Sequence, residues 1–232
     1  MESIYELFHY LKELLNPKVI IETLLAKGGL FVYTGLIFIV FAETGLAIGF
    51  FLPGDSLLVV AGLFAAAGKL NLAILLSTLF VAAVVGDAVG YLTGARLGPR
   101  LFSRKKSFLF RPSHLQKAHA FYEKYGGKTI IIARFVPIVR TFAPIVAGAA
   151  NMPYRRFVIF NVVGGFLWVM SMILAGYFLG SLLKSRFGID LENNIELVVV
   201  VVVALSLLPA VIEYLKSRRE KARAAKARSA EV

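Results

Sequence analysis

The stretch from Leu30 to Gly68 limits most sharply what this chain can become. It is nearly twice as long as the ~20 residues an apolar helix needs to cross a bilayer, and Glu43 and Asp55 are its only charged residues. Its middle reads Gly49-Phe50-Phe51-Leu52-Pro53-Gly54-Asp55-Ser56, and Pro53-Gly54 breaks any continuous helix there. Two arrangements satisfy this pattern: a hairpin of two full spans, or a re-entrant pair of half-helices that meet at mid-bilayer. Non-helical backbone at that depth is tolerated only where protein or a wet cavity satisfies it. Acids on both sides of the break favour the re-entrant arrangement.

The same tension recurs downstream. Glu43, Asp55 and Asp87 are the only acids between Glu22 and Glu123, and all three sit in apolar surroundings. A second apolar run, Thr129 to Met152, holds Arg134 and Arg140. A charge at the centre of a membrane helix costs ~2.5–3.5 kcal/mol on insertion scales. Five such groups require mutual pairing, water or a function. Within the second run, Pro137 and Pro144 each remove a backbone donor, and few apolar residues remain between Arg140 and Pro153. A second re-entrant element fits, with breaks at Pro137 and Pro144.

The bulk composition agrees. Of 232 residues 58% are hydrophobic, with mean hydropathy +0.76, against roughly 45–50% apolar in soluble domains. With no cysteine, disulfides and thiolate chemistry are excluded. His9, His114 and His119 all lie outside the apolar runs, so neither a metal centre nor any other cofactor is expected. The N-terminus does not read as a cleaved signal peptide. The net charge of +12 is concentrated: nine basic residues and one acid lie between Ala95 and Lys128, and seven basic residues and three acids between Glu213 and Val232. Lys and Arg accumulate on the cytoplasmic side, which places both segments there. No nucleic-acid recognition motif accompanies the charge, so nucleic acid is not an expected partner.

These signals give an all-α polytopic membrane protein. Residues 1–28 form an N-terminal amphipathic interfacial region whose first helix ends near Asn16-Pro17. Residues 29–183 form one membrane domain: a first re-entrant element (29–68), a spanning helix (71–94), a basic cytoplasmic segment (95–128) with a capped surface helix from Ser113, a second re-entrant element (129–152) and a spanning helix (157–183). An external loop and last span follow (184–215), then a basic cytoplasmic tail (216–232). An internal repeat underlies the order. Ala61-Gly62 precedes Gly90-Tyr91-x-x-Gly94 by 28 residues, and Ala147-Gly148 precedes Gly176-Tyr177-x-x-Gly180 by the same 28. At this offset of 86, Gly54-Asp55 falls opposite Arg140-Thr141. The loop after the first motif is basic and the loop after the second is not, so the repeats are expected to be inverted, as in many secondary transporters.

Glu43 with Phe51 to Ser56 (FLPGDS), the GDxxGYxxGxxxG run from Gly86 to Gly98, and RFxPxxRTxxPxxAG from Arg134 to Gly148 resemble, in order and spacing, the DedA family of integral membrane proteins. That family is also described as SNARE-associated or VTT-domain proteins. The resemblance covers about Leu30 to Leu183. It implies two opposed re-entrant elements and lipid movement across the plasma (inner) membrane. Bacterial members look like flippases that return undecaprenyl phosphate to the cytoplasmic leaflet, using the proton motive force; others are associated with phosphatidylethanolamine translocation, and eukaryotic relatives with phospholipid scrambling. The family's membrane-embedded acids fall on Glu43 and Asp55, and its essential arginines on Arg134 and Arg140.

The residue chemistry supports this. Arginine keeps its charge at any depth and presents a planar fork that fits phosphate oxygens. Arg134 and Arg140, with Thr141, are the candidate headgroup site. Glu43 and Asp55 are expected to pair with these arginines in the empty site and to exchange protons during the cycle. Asp87 is either part of that coupling or a structural hydrogen bond to a neighbouring broken helix. Thr141 either contacts phosphate or satisfies backbone freed by Pro144. Asn161 reads as an interhelical hydrogen bond, Trp168 as packing or lipid contact, and Tyr91 and Tyr177 as packing or the membrane interface. A membrane lipid phosphatase would want a nucleophile or metal, usually beside histidine; no histidine lies in the apolar runs and no serine sits in a nucleophile motif, so no enzymatic activity is expected. A proton-coupled carrier of small ions or drugs would use the same buried acids and is the main alternative.

Overall fold

The computed structural model describes residues 16–46, 53–102 and 126–188, and every regular element among them is an α-helix. The first interfacial helix, the surface helix from Ser113, the last span and the basic tail lie outside the described residues.

Helix α1 (Pro17–Ala26) begins where a helix end was expected. Asn-Pro serves as a start as readily as a stop. The Asn16 side chain accepts from the Lys18 amide at 3.0 Å, and Pro17 sits at the first helical position, where its missing N–H costs nothing. Ile21 is fully buried, so α1 is docked onto the rest of the domain.

Helix α2 (Gly29–Gly45) buries Val32, Leu36 and Val40 along one stripe, and that stripe runs on into Glu43 and Thr44. Its other side leaves Leu30, Phe31 and Phe38 exposed, the outward apolar surface of a helix made for lipid. Helix α3 (Gly54–Ala66) is buried over most of its length and forms the centre of the core with Trp168, Val169 and Ile173. Helix α2 ends at Gly45, where Leu46 is extended (φ −108°, ψ 130°), and α3 starts just after Pro53, so the expected break lies between them and not at Pro53-Gly54 alone.

Among the described residues two helices are long and apolar enough to cross a bilayer: α4 (Leu72–Phe102) and α7 (Tyr154–Phe187), with apolar segments at Leu72–Leu97 and Tyr154–Arg186. At 1.5 Å per residue, 31 and 34 residues reach about 45–50 Å. Helix α4 runs past Gly94 into the basic segment. Gly94 does not terminate it, because that glycine serves a close contact with the Ile145 carbonyl. Helix α7 ends in a left-handed Gly188, with Lys184 and Arg186 in its last turn, where they complement the helix dipole.

The second broken element comprises α5 (Lys128–Ala133) and α6 (Pro137–Ala149). The break lies at 134–136. Val136 is extended (φ −113°, ψ 107°), as the residue before a proline is driven to be, and Pro137 opens α6. Pro144 was expected to be a second break and is not one: it lies inside α6. Its ring rests near Gly90 of α4, so packing holds the helix together across the missing hydrogen bond.

The four principal helices pair crosswise. Helix α3 lies chiefly on α7, and α6 chiefly on α4. Both contacts bring backbone against backbone at glycine. A methyl group on Gly62 would strike the Ile173 carbonyl and the Tyr177 amide; one on Gly148 would strike the Tyr91 carbonyl and the Ala95 amide. The offset of 86 converts the Gly62–Tyr177 contact into Gly148–Tyr91, and Val59–Gly176 into Ile145–Gly90; all four contacts are present. Small residues permit this approach, and without water to expel, close packing is what holds membrane helices together. Gly62→Ala and Gly148→Ala should each destabilise the fold by roughly 1–3 kcal/mol, seen as a lowered thermal midpoint in detergent. Gly29→Ala, where a methyl meets nothing within 4 Å, should leave the midpoint nearly unchanged.

Candidate functional site

The broken elements meet at Arg140, which occupies the first turn or so of α6. Its Nη2 donates to Glu43 Oε1 and its Nη1 to Asp55 Oδ1. Glu43 comes from the end of α2, Asp55 from the first turn of α3. One guanidinium therefore joins three helices. Both α3 and α6 present N-terminal ends here, and helix N-termini carry positive partial charge. Two carboxylates gathered around one arginine thus answer more than the arginine's own charge.

Gly54 explains why the break is built as Pro-Gly-Asp. Its amide donates to Glu43 Oε1 at 3.2 Å, and a methyl group on Gly54 would overlap the Glu43 carboxylate. Only glycine lets that acid lie against the backbone. Pro53 precedes the helix, where a proline is tolerated. Asp55 follows and reaches Arg140.

Trp168 of α7 completes the cluster. It is fully buried. Its Nε1–H donates to Asp55 Oδ1 at 2.8 Å, and its ring lies 4.7 Å from the Arg140 guanidinium carbon and 5.9 Å from that of Arg134. These are cation–π distances. Read from sequence, Trp168 was packing or lipid contact. The available signal was chemical: an indole N–H on an otherwise apolar helix needs an acceptor.

Arg134 has different partners from those expected. It pairs with Asp87 of α4, not with Glu43 or Asp55, and also donates to the Asn161 side-chain oxygen. Asn161 in turn donates to the Val84 carbonyl at 3.0 Å. The interhelical role expected of Asn161 is thus observed, and Asp87 does bond a broken helix. The cause of the exchange is position. Arg134 ends α5 beside Gly164 and Gly165 of α7, one turn from Asn161, whereas Arg140 lies beyond the break and faces α2 and α3.

Thr141 is buried, and its hydroxyl finds no partner among the described residues. It does not satisfy the backbone freed by Pro144. Glu43 Oε2, Arg134 Nε and Arg140 Nε are likewise buried without a hydrogen-bond partner among these residues. Tyr91 donates to the Met152 carbonyl and stacks on Phe157, which makes it a packing and tethering group. Tyr177 lies at the Gly62 contact.

An open apolar groove of about 570 Å³ runs between α2 and α4, lined by residues that include Thr34, Phe41, Ser77, Thr78 and Val85. Its hydroxyls do not make it polar. Those of Thr34, Ser77 and Thr78 all donate to carbonyls three or four residues earlier on their own helices. Beyond the lining residues Phe41 and Val85, Gly45 of α2 comes against Gly86 of α4, close in sequence to Glu43 and Asp87.

Removing one partner of a buried ion pair typically costs ~3–5 kcal/mol, because the other charge is stranded. Asp87→Ala should therefore sharply reduce the yield of monodisperse protein. Asp87→Leu combined with Arg134→Leu should recover much of it, as judged by size-exclusion chromatography and thermal unfolding.

A family model described as the VTT domain matches residues 52–178. The chain is 47% identical to Protein DedA of Escherichia coli K12 over 228 residues, covering 97% of this chain and 100% of the relative. It is 42% identical over 188 residues to an uncharacterized membrane protein of Mycobacterium leprae, covering 81% of this chain and 82% of the relative. It is 37% identical over 182 residues to the inner membrane protein YqjA of E. coli K12, covering 78% of each. No solved structure matches. With the three sequence blocks falling on the two broken elements and the helix between them, this chain belongs to the DedA family of VTT-domain membrane proteins.

Proposed function

We propose that this protein moves a phosphate-bearing lipid between membrane leaflets, with undecaprenyl phosphate the first candidate, and that proton movement drives it. The carrying observation is Arg140: a buried guanidinium shared between Glu43 and Asp55 where two broken helices meet. A fixed cation with two exchangeable carboxylate partners is suited to taking up an anion and giving it back. A proton arriving on a carboxylate releases the arginine for phosphate; its departure restores the pair. Moving one charge through 100 mV is worth ~2.3 kcal/mol, about fifty-fold in an equilibrium, enough to bias a lipid between leaflets.

In this reading the two broken elements are re-entrant and belong to inverted repeats. The crosswise contacts related by the offset of 86 support that symmetry. The basic segment and tail face the cytoplasm, in keeping with the distribution of Lys and Arg. The hydrocarbon chain stays in lipid, where the apolar groove between α2 and α4 offers it a surface. Arg134 acts as a strut, because Asp87 and Asn161 both hold its Nη2 and tie α5 to α4 and α7.

The test is flipping of fluorescent undecaprenyl phosphate in proteoliposomes, with and without a proton gradient. Wild type should flip the lipid in a gradient-sensitive manner. Arg140→Gln combined with Glu43→Gln and Asp55→Asn, which leaves no stranded charge at the cluster, should reduce flipping at least a hundredfold in protein that remains folded in the membrane. Equal flipping by the variant would overturn the role of Arg140. Gradient-driven uptake of small ions without lipid movement would replace this reading with a small-ion carrier.

A further inference from the structure

Arg140 Nη1 and Trp168 Nε1 donate to the same atom, Asp55 Oδ1. One carboxylate oxygen therefore sits where two fixed donors converge. The indole is fully buried and the guanidinium nearly so, while the Asp55 side chain is 28% exposed, against 1% for Glu43. The donors are fixed by packing, whereas their occupant has a way out. Glu43 is held differently, since the Gly54 amide also binds it and its carboxylate lies on the backbone.

We propose that Asp55 is a resident stand-in for the substrate, and that a phosphate oxygen takes its place between Arg140 Nη1 and Trp168 Nε1. The inference rests on the reading of this cluster as a phosphate-lipid site, and it makes Trp168 a direct substrate contact. Charge-assisted hydrogen bonds favour a phosphate oxygen here as they favour the carboxylate. A phosphate brings more acceptor oxygens than Asp55 can. Arg140 Nε and the adjoining Thr141 hydroxyl are buried donors with no partner among the described residues, and they remain for those further oxygens. Throughout the exchange the indole face stays against the Arg140 guanidinium, so that the cation is not abandoned while its carboxylate partner leaves.

Trp168 is the only tryptophan of the chain, so intrinsic emission of the full-length protein in nanodiscs reads this seat directly. Dodecyl phosphate should change that emission saturably, and dodecanol should not. A change with dodecyl phosphate but not with equal inorganic phosphate assigns the seat to a lipid headgroup; an equal change with both assigns it to the free anion. Asp55→Asn, which removes the competing charge, should tighten dodecyl phosphate binding several-fold. Trp168→Phe, which keeps a ring but loses the donor, should weaken it about tenfold, measured with radiolabelled dodecyl phosphate. Unchanged wild-type emission at saturating bound dodecyl phosphate would overturn the proposal, as would undiminished binding by well-folded Trp168→Phe. Normal lipid flipping with either of those results would leave transport standing and remove this seat. Displacement without flipping would keep the seat and remove transport.

Discussion

A charge in a low-dielectric interior has to be answered locally, and the Arg140 guanidinium is answered by Glu43 and Asp55. Much of the local architecture serves that exchange. Helix α2 ends at Gly45 and α3 starts after Pro53, while α5 ends at Ala133 and α6 opens at Pro137, so the ends of α2, α3 and α6 converge. Gly54 makes room for a carboxylate against its own backbone. Trp168 fills the remaining side and supplies both a donor and an aromatic face. The Arg134–Asp87 pair repeats the principle at lower exposure and ties α5 to α4, with Asn161 linking both to α7. Buried ion pairs are poor sources of stability and good sources of geometric definition, since they tolerate few arrangements. The two pairs fix which broken helix meets which partner.

The legible part of this structure was the part governed by chain chemistry near in sequence. The helix starts just after Pro53 and at Pro137 follow from the backbone restrictions of proline. The long helices around Gly86 and Gly176 follow from uninterrupted apolar runs. The acids and arginines stood out because hydrophobic surroundings make any charge conspicuous. What could not be read was which charge meets which. Arg134 and Arg140 are six residues apart and chemically identical. A break between them turns one toward α4 and α7 and the other toward α2 and α3, and no periodicity encodes that turn. Pro144 failed for a related reason: the rule that proline ends helices is local, and its ring is accommodated by Gly90 on another helix. Trp168 was passed over because it resembled its neighbours in size and hydropathy, while its one polar atom carried the information.

Membership of the DedA family and the geometry of the cluster bear on different questions. The family establishes an integral membrane protein; the geometry narrows what such a protein can do at this place. A cation held by two acids, one deeply buried and one partly open, is an asymmetric device. Its halves are not interchangeable, even though the helices that carry Asp55 and Arg140 are related by the same offset that relates the glycine contacts.

The crosswise pairing of α3 with α7 and α6 with α4 bears on how such a chain is assembled as it emerges from the ribosome. Arg140 follows Glu43 by 97 residues and Trp168 follows Asp55 by 113. Both acids therefore enter the membrane well before the groups that neutralise and hold them have been synthesised. Until then α3 has no partner for its glycine-bearing face, and neither half of the chain can complete its core from its own residues. Closure of the domain is therefore late, because α6 must follow before Glu43 and Asp55 meet Arg140, and α7 before Asp55 meets Trp168.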